Sequence, residues 1–490
     1  MELTGHSTTR RAPAEKKSVV ATLMFALLLV AWIGEAPIEH DSALYSGLWR
    51  SVLVVFGPLF APLPLIALTP WQLLLIVLAP FCLGAANQRQ HVREMDRAIF
   101  LSITCIAITF LWGMLRGGSA YFAYYQVWRF LAALLVAYML MSVVRAPRDL
   151  YTLGRVIVFA ALTRATLCIY FYWAHLRGKL DFLPQYVTSH DDSLLFVAAT
   201  LIVSSWAILK GGKAAWRTAA LVVPYVFYAM VLNDRRVAWV ELLLAIPLIY
   251  VLIGAGPLRT QINKWLVRTS PLVLIYVVVG SGSEAAIFAP LHALGSAGSN
   301  YDPSSLTRQE EVRNLLYTMT ASGNPLLGTG WGLPYIKHES VWSNYSADWI
   351  LYLYTPHNSL LGLAIFSGLL GIVGIWGVIP VAAYLAARGY RGSTDPVPRA
   401  AAVVAIGSLV AYSVHCYGDI GLQSLACCVL VGAALAAAGK TAAWSEALPA
   451  AQTVAADAPS APGPWPAYRG IDVTRSRNGL GSKPNAVSTR

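Results

Sequence analysis

Long apolar runs separated by short polar segments set the pattern of the chain. They cover roughly residues 18–34, 97–115, 124–144, 150–175, 190–209, 214–232, 236–254, 267–282, 357–387, 400–417 and 420–438. Helical runs of about this length cross a hydrocarbon core of about 30 Å. The span 43–86 is also apolar, but Pro58, Pro62, Pro64, Pro70 and Pro80 interrupt it. It reads either as two short crossings or as one crossing with an interfacial piece. Two stretches depart from the pattern. Residues 283–355 mix polar and charged positions over a length far beyond an ordinary connection, and such loops are functional or disordered. Within them, Ser304 or Ser305 can cap a helix whose apolar positions Val312, Leu315, Leu316 and Met319 follow the i, i+3, i+4, i+7 pattern, with Gly323 as its end. From about residue 441 onwards Ala, Pro, Ser and Gly dominate, the composition of a disordered tail. No internal repeat is visible, which weighs against an inverted-repeat transporter.

Composition turns this pattern into a fold class. Of 490 residues, 57% are hydrophobic and 12% charged, and the mean hydropathy is +0.57. These values exclude a soluble globular protein and predict an all-α polytopic membrane protein with about 12 transmembrane helices. The net charge of +12 does not mark a nucleic-acid binder, because the basic residues lie in short segments between apolar runs. With Arg10, Arg11, Lys16 and Lys17 on the cytoplasmic side, the clusters Arg89/Arg93/Arg97, Arg145/Arg148, Lys210/Lys213/Arg217, Arg259/Lys264/Arg268 and Arg388/Arg391/Arg399 fall on that side too, given one net crossing in 43–86. The expected layout is a cytoplasmic segment 1–17, a membrane domain 18–440, a large outer loop 283–355 and a cytoplasmic tail 441–490. No A-x-A-like cleavage site follows the basic N-terminal segment, so the first apolar run is expected to remain as a helix. The six cysteines all lie in apolar segments without zinc-ligand spacing, and neither a disulfide framework nor a metal site is expected.

The same count gathers polar residues at the outer face. His357 and Asn358 open the apolar run 357–387 just after the large loop. The positive end of a helix dipole favours a neutral imidazole there, a form suited to general-base work. Arg235 and Arg236 lie in an outer turn, Arg129 lies about five residues into its run, and Arg164 lies in the outer half of its own. Arginines at such positions are costly and mark functional sites, and guanidinium groups suit phosphate or pyrophosphate oxygens. Arg308, Arg313 and Glu310 on the expected loop helix, Gly328 and Gly330 in NPLLGTGWG, and Asp191 and Asp192 on a neighbouring segment are further candidate contacts. Snorkelling, pairing with a carboxylate and simple turn geometry are the plain structural alternatives for these residues.

Three pieces in order carry a resemblance: an outer Arg in NDRRVAWVELLLA, then NPLLGTGWG in the large loop, then PHNSLLGLAIFSGLLG opening the next helix. Together they resemble the O-antigen ligase and O-antigen polymerase superfamily, bacterial membrane glycosyltransferases, over residues 190–390. The family's Arg is commonly preceded by Ser and followed by Gly. Here Asp234-Arg235-Arg236-Val237 stands in its place, so Arg236 aligns best and Arg235 could share the role. The resemblance implies a GT-C-like fold in the bacterial inner membrane, with the site facing the periplasm and both termini in the cytoplasm. It implies an inverting transfer from an undecaprenyl-diphosphate-linked glycan to an acceptor hydroxyl of lipid A core or growing polysaccharide, with no cofactor, nucleotide sugar, metal or nucleic acid. His357 would deprotonate the acceptor, Asn358 would orient groups beside it, and Arg236, Arg235, Arg164 and Arg129 would hold the diphosphate. An exopolysaccharide or O-antigen polymerase with the same chemistry, a transporter of lipid-linked sugars and a non-catalytic assembly scaffold are the competing readings.

Overall fold

The computed structural model describes residues 18–34, 55–64, 68–84, 92–177, 187–283, 303–338 and 349–456, with isolated positions between 285 and 292. The expected cytoplasmic segment 1–17, parts of 43–86, parts of the 283–355 loop and the tail beyond 456 lie outside the described residues. One compact unit spans Met1–Leu448, and a second begins at Pro449.

The chain is an all-α polytopic membrane protein. In order, its helices are α1 (Val19–Gly34), α2 (Gly57–Phe60), α3 (Pro70–Gly84), α4 (Arg93–Leu115), α5 (Ala120–Val143), α6 (Pro147–Phe171), α7 (Asp191–Lys210), α8 (Lys213–Asn233), α9 (Arg236–Leu252) and α10 (Pro257–Gly280). After the large loop begins come α11 (Pro303–Ser322), α12 (Trp349–Tyr352), α13 (Ser359–Leu369), α14 (Val378–Gly392), α15 (Pro396–Gly418) and α16 (Leu425–Ala456). Among the described residues, nine helices are long and apolar enough to cross a membrane, α13 and α14 counting as one through the π-helical turn Leu370–Ile375. Val19–Gly34 and Pro70–Gly84 are shorter apolar helices.

Burial separates a hub from a rim. Leu425–Ser445 of α16 is buried at every position but Trp444, whereas Leu258–Gly280 of α10 is buried only at its two end residues and presents Leu272, Val273 and Leu274 outward, as a lipid-facing helix does. Close approach at the hub depends on small residues, because transmembrane helices associate mainly by packing. At Gly432 a methyl group would meet the carbonyl of Ala133 at 2.6 Å. Helix α16 runs past the boundary expected at 440, with Thr441, Ala442 and Ser445 buried.

Parts of three of the basic segments come together at one end of the bundle. Arg388 reaches Glu94 at 3.3 Å, Arg399 lies over the ring of Tyr390 at 4.5 Å, and Gly256 faces both Arg399 and Tyr390. The opposite end carries the connections before α7, between α8 and α9, before α13 and between α15 and α16.

The large loop is seated on this second end through NPLLGTGWG. Gly328 and Gly330 have φ of +65° and +92°, a region glycine enters without strain. Thr329 and Gly330 donate backbone hydrogen bonds to the carbonyls of Ile365 and Phe366 at 2.8 and 2.9 Å. Beyond them Leu369 and Leu370 donate back to Pro325 and Leu326 at 2.9 and 3.1 Å. This exchange is open because α13 breaks its own ladder at Gly368, where φ is +57°. The two glycines expected as ligand contacts therefore serve backbone packing: a Cβ at Gly328 would stand 2.3 Å from the Ile365 carbonyl, and one at Gly330 would stand 2.3 Å from Gly113.

Helix α11 ends before Gly323 as expected, but it begins at Pro303, which puts Ser304 and Ser305 inside its first turn. Its inward face also differs from the expectation. Leu316 and Met319 are 48% and 47% exposed, while Glu311, Asn314, Leu315 and Thr318 are buried. Those four repeat at i, i+3, i+4, i+7, so the helical period is right and the face is rotated by one residue. Polar partners explain the rotation. Asn314 Oδ1 accepts from the amide of His338 at 2.9 Å, Thr318 Oγ1 accepts from that of Ile336 at 2.7 Å, and Glu311 points at His357.

Candidate active site

The PHNS segment divides its roles residue by residue. Asn358 is the N-cap of α13, its Oδ1 accepting from the amide of Leu361 at 2.9 Å, so the side chain expected to orient substrate is engaged in holding the helix start. Ser359 Oγ donates to the Asp419 carbonyl at 3.1 Å and lies 3.2 Å from Gln423 Oε1, tying this start to the turn between α15 and α16. His357 takes no part in that cap through its side chain. Its backbone amide donates to Glu311 Oε1 and Oε2 at 3.0 and 3.2 Å, and its Nδ1 lies 3.3 Å from Oε2. The ring of Tyr352 stacks on the imidazole at 5.2 Å between centroids. The imidazole is 27% exposed, and no described residue bonds its Nε2. A carboxylate beside Nδ1 favours the proton on that nitrogen and the lone pair on Nε2, an arrangement that can serve as an oriented general base.

One turn before Glu311, Arg308 extends over the same end of the bundle. Its Nη2 lies 4.0 Å from Asp419 Oδ2, and His190 Nδ1 lies 3.0 Å from the same oxygen. Burial by itself would raise the Asp419 carboxyl, but His190 and Arg308 outweigh it and hold the group well below the usual carboxylate range. Burial works against the charge of His190 as well, and there the Asp419 carboxylate, helped by Asp191, prevails and raises the imidazole.

The NDRR turn supports this cluster from below. Asp234 has φ of +48°, the one left-handed non-glycine among the described residues, and burial raises its carboxyl against the pull of Arg236. Asn233 Oδ1 accepts from the amides of Val187 and Thr188 at 3.2 and 2.6 Å, and Arg235 Nη2 donates to the Thr188 carbonyl at 3.2 Å. The turn thus fixes the strand of chain that delivers His190. Arg235 is 6% exposed, and burial pushes its guanidinium down to about 9 against the attraction of Asp419, so it stays charged at neutral pH. Arg236, which aligned better with the family pattern, is half-buried at the start of α9 next to Asp234.

The remaining candidates fall into two groups. Arg313 is exposed and Glu310 half-buried on α11, close to the site by their place on the helix. Arg164 and Asp192 lie elsewhere. Arg164 Nε and Nη2 donate to the two Asp192 carboxylate oxygens at 2.6 and 3.0 Å, and both side chains are about 2% exposed. This bidentate pair, with a 3.4 Å contact to the Ile33 carbonyl, ties α6 to α7 and α1. It occupies the guanidinium expected to hold a diphosphate and the carboxylate expected to touch sugar. Arg129 lies inside α5, stacked over Tyr125 and Trp128 at 4.6 and 4.7 Å, and none of its described contacts is to the His357 group. Asp191 is half-exposed at the start of α7, where its Oδ1 lies 3.8 Å from Cys427 Sγ.

Glu311, His190 and Asp419 were not singled out from the sequence. Asp419 carried a usable signal: an acid set between two apolar runs at the end where His357 lies. Glu311 carried none, because an amphipathic reading turns its face outward.

No family model matches the chain, and no curated protein matches it. Among solved structures, a chain from work on the structural coordination of polymerization and crosslinking by a peptidoglycan synthase complex is similar, with 17% identity and a TM-score of 0.39, over 71% of this chain and 97% of that one. Values this low carry no functional inference.

Proposed function

We propose that this chain is an O-antigen ligase-like inverting glycosyltransferase of the bacterial inner membrane. It moves a glycan from an undecaprenyl-diphosphate carrier to an acceptor hydroxyl at the periplasmic face. The observation that carries the reading is the Glu311–His357 pair, with Nε2 open to the outside and the Arg308 guanidinium one helical turn away on the same helix. In this reaction Nε2 takes the proton of the acceptor hydroxyl as its oxygen bonds to the anomeric carbon from the face opposite the carrier. The bond from that carbon to the diphosphate oxygen breaks, and the electron pair leaves with the diphosphate. The transition state has oxocarbenium character. Arg308, with Arg313 on the same helix and Arg236 at the start of α9, supplies cationic charge to the departing diphosphate. Glu311 keeps the ring in register and stabilises the imidazolium that forms, a role proposed from its contact at Nδ1.

The experiment supplies purified protein in bilayer nanodiscs with a lipid-linked oligosaccharide and either lipid A core or a second lipid-linked unit. Transfer to lipid A core identifies a ligase, and elongation of the second unit identifies a polymerase with the same chemistry. No product with either, from protein that inserts and accumulates normally, overturns the reading.

A further inference from the structure

Below the proposed active site, in the interior of the bundle, three helices bring together residues far apart in sequence. Asp191 begins α7, His415 lies near the end of α15 and Cys427 lies in the first turn of α16. One carboxylate oxygen, one imidazole nitrogen and the sulfur all lie within 4.8 Å of one another. The Asp191 Oδ1–Cys427 Sγ separation of 3.8 Å is close to the roughly 3.6 Å that two such ligands span in a tetrahedral zinc site.

A cluster of polar atoms is not in itself a site, and here the imidazole supplies the second observation. His415 is fully buried, and its Nδ1 lies 2.8 Å from Glu241 Oε1 on α9. Its Nε2 is buried with no hydrogen-bond partner among the described residues. Burying an imidazole nitrogen without a partner is costly. A carboxylate on one ring nitrogen, with the other nitrogen left without a partner, is the outer arrangement by which proteins prepare a histidine for a metal ion. The third donor is a cysteine, and thiolate, imidazole and carboxylate together suit a borderline-soft cation rather than calcium or magnesium. Asp191 is half-exposed beside His190. Cysteine spacing gave no hint of such a site because each ligand comes from a different helix, and the expectation of no metal site rested on spacing alone.

We propose that Asp191, His415 and Cys427 bind a divalent cation of the zinc type, with the fourth position left to water. Glu241 orients the imidazole, and the cation fixes α7, α15 and α16 against one another beneath His190 and Asp419. The inference stands apart from the glycosyltransferase reading, since it concerns binding and not transfer.

The test uses full-length protein purified without chelator, exchanged into bilayer nanodiscs and titrated with Co²⁺ and with Zn²⁺. The wild-type chain should bind one Co²⁺ with a thiolate-to-cobalt charge-transfer absorption that Zn²⁺ displaces. Cys427→Ser should lose that absorption, and Glu241→Gln should weaken binding by roughly 10- to 100-fold. Absence of the absorption in the wild type overturns the proposal without reference to any variant. Its persistence in Cys427→Ser overturns the ligand set. Unchanged affinity in Glu241→Gln, with the wild-type melting temperature, overturns the orienting role.

Discussion

The protein contains two pairs of the same chemistry in different settings. Glu311–His357 and Glu241–His415 each place a carboxylate at Nδ1, at 3.3 and 2.8 Å, an arrangement that favours the neutral tautomer with its lone pair on Nε2. The first imidazole is 27% exposed and the second 0%. A histidine oriented by a carboxylate becomes a base for whatever reaches its other nitrogen. In the proposed reaction that is an incoming hydroxyl at His357, whereas at His415, fully buried, it is a group held inside the protein. Access, more than the dyad itself, separates a catalytic role from a positioning one.

The comparison can be broken most directly at the open pair. His357→Ala should lower transfer from the lipid-linked donor by roughly 10²- to 10⁴-fold, the contribution of a positioned acid–base group, while membrane insertion and melting temperature stay near wild type. Normal surface polysaccharide in that variant would remove His357 from the chemistry. Glu311→Gln should be milder, about 10- to 100-fold in kcat with little change in KM, because the ring keeps a partner but loses the charge that supports its imidazolium. An effect confined to KM would place Glu311 in substrate binding instead. The buried pair should respond in stability. Glu241→Ala strands His415 Nδ1 in a dry interior and should cost roughly 1–3 kcal/mol, read as a lower midpoint of thermal unfolding in nanodiscs. The smallest effect belongs to Asn358→Ala, about 1 kcal/mol for a lost cap, with Asn358→Asp or Asn358→Ser restoring it. Rescue of stability without rescue of transfer would return Asn358 to the catalytic group.

The parts of this architecture written in local periodicity were legible from the sequence. The long helices fall where the apolar runs are, because span length is set within a few residues of chain. Residues whose meaning lies in a distant partner were harder to read. Arg164 reads as a ligand-binding arginine from the sequence, but its partner is Asp192 on the next helix. Glu311 was misplaced for a different reason. Amphipathic reasoning turns the apolar stripe inward, but α11 lies over a polar floor and turns Glu311, Asn314 and Thr318 towards it. His190, Asp419 and Arg308 likewise meet only when three separate ends of the bundle come together.

The seat of NPLLGTGWG sets an order of assembly. Gly330 rests on the backbone of Gly113 in α4, and its amide bonds the Phe366 carbonyl in α13. One half of that seat is synthesised well before the loop and the other half after it. Until α13 has been made and has opened its ladder at Gly368, α11 has no fixed anchor from which to offer Glu311 to His357. The Glu311–His357 contact therefore depends on segments from both before and after the loop, and it cannot form until α13 has been synthesised.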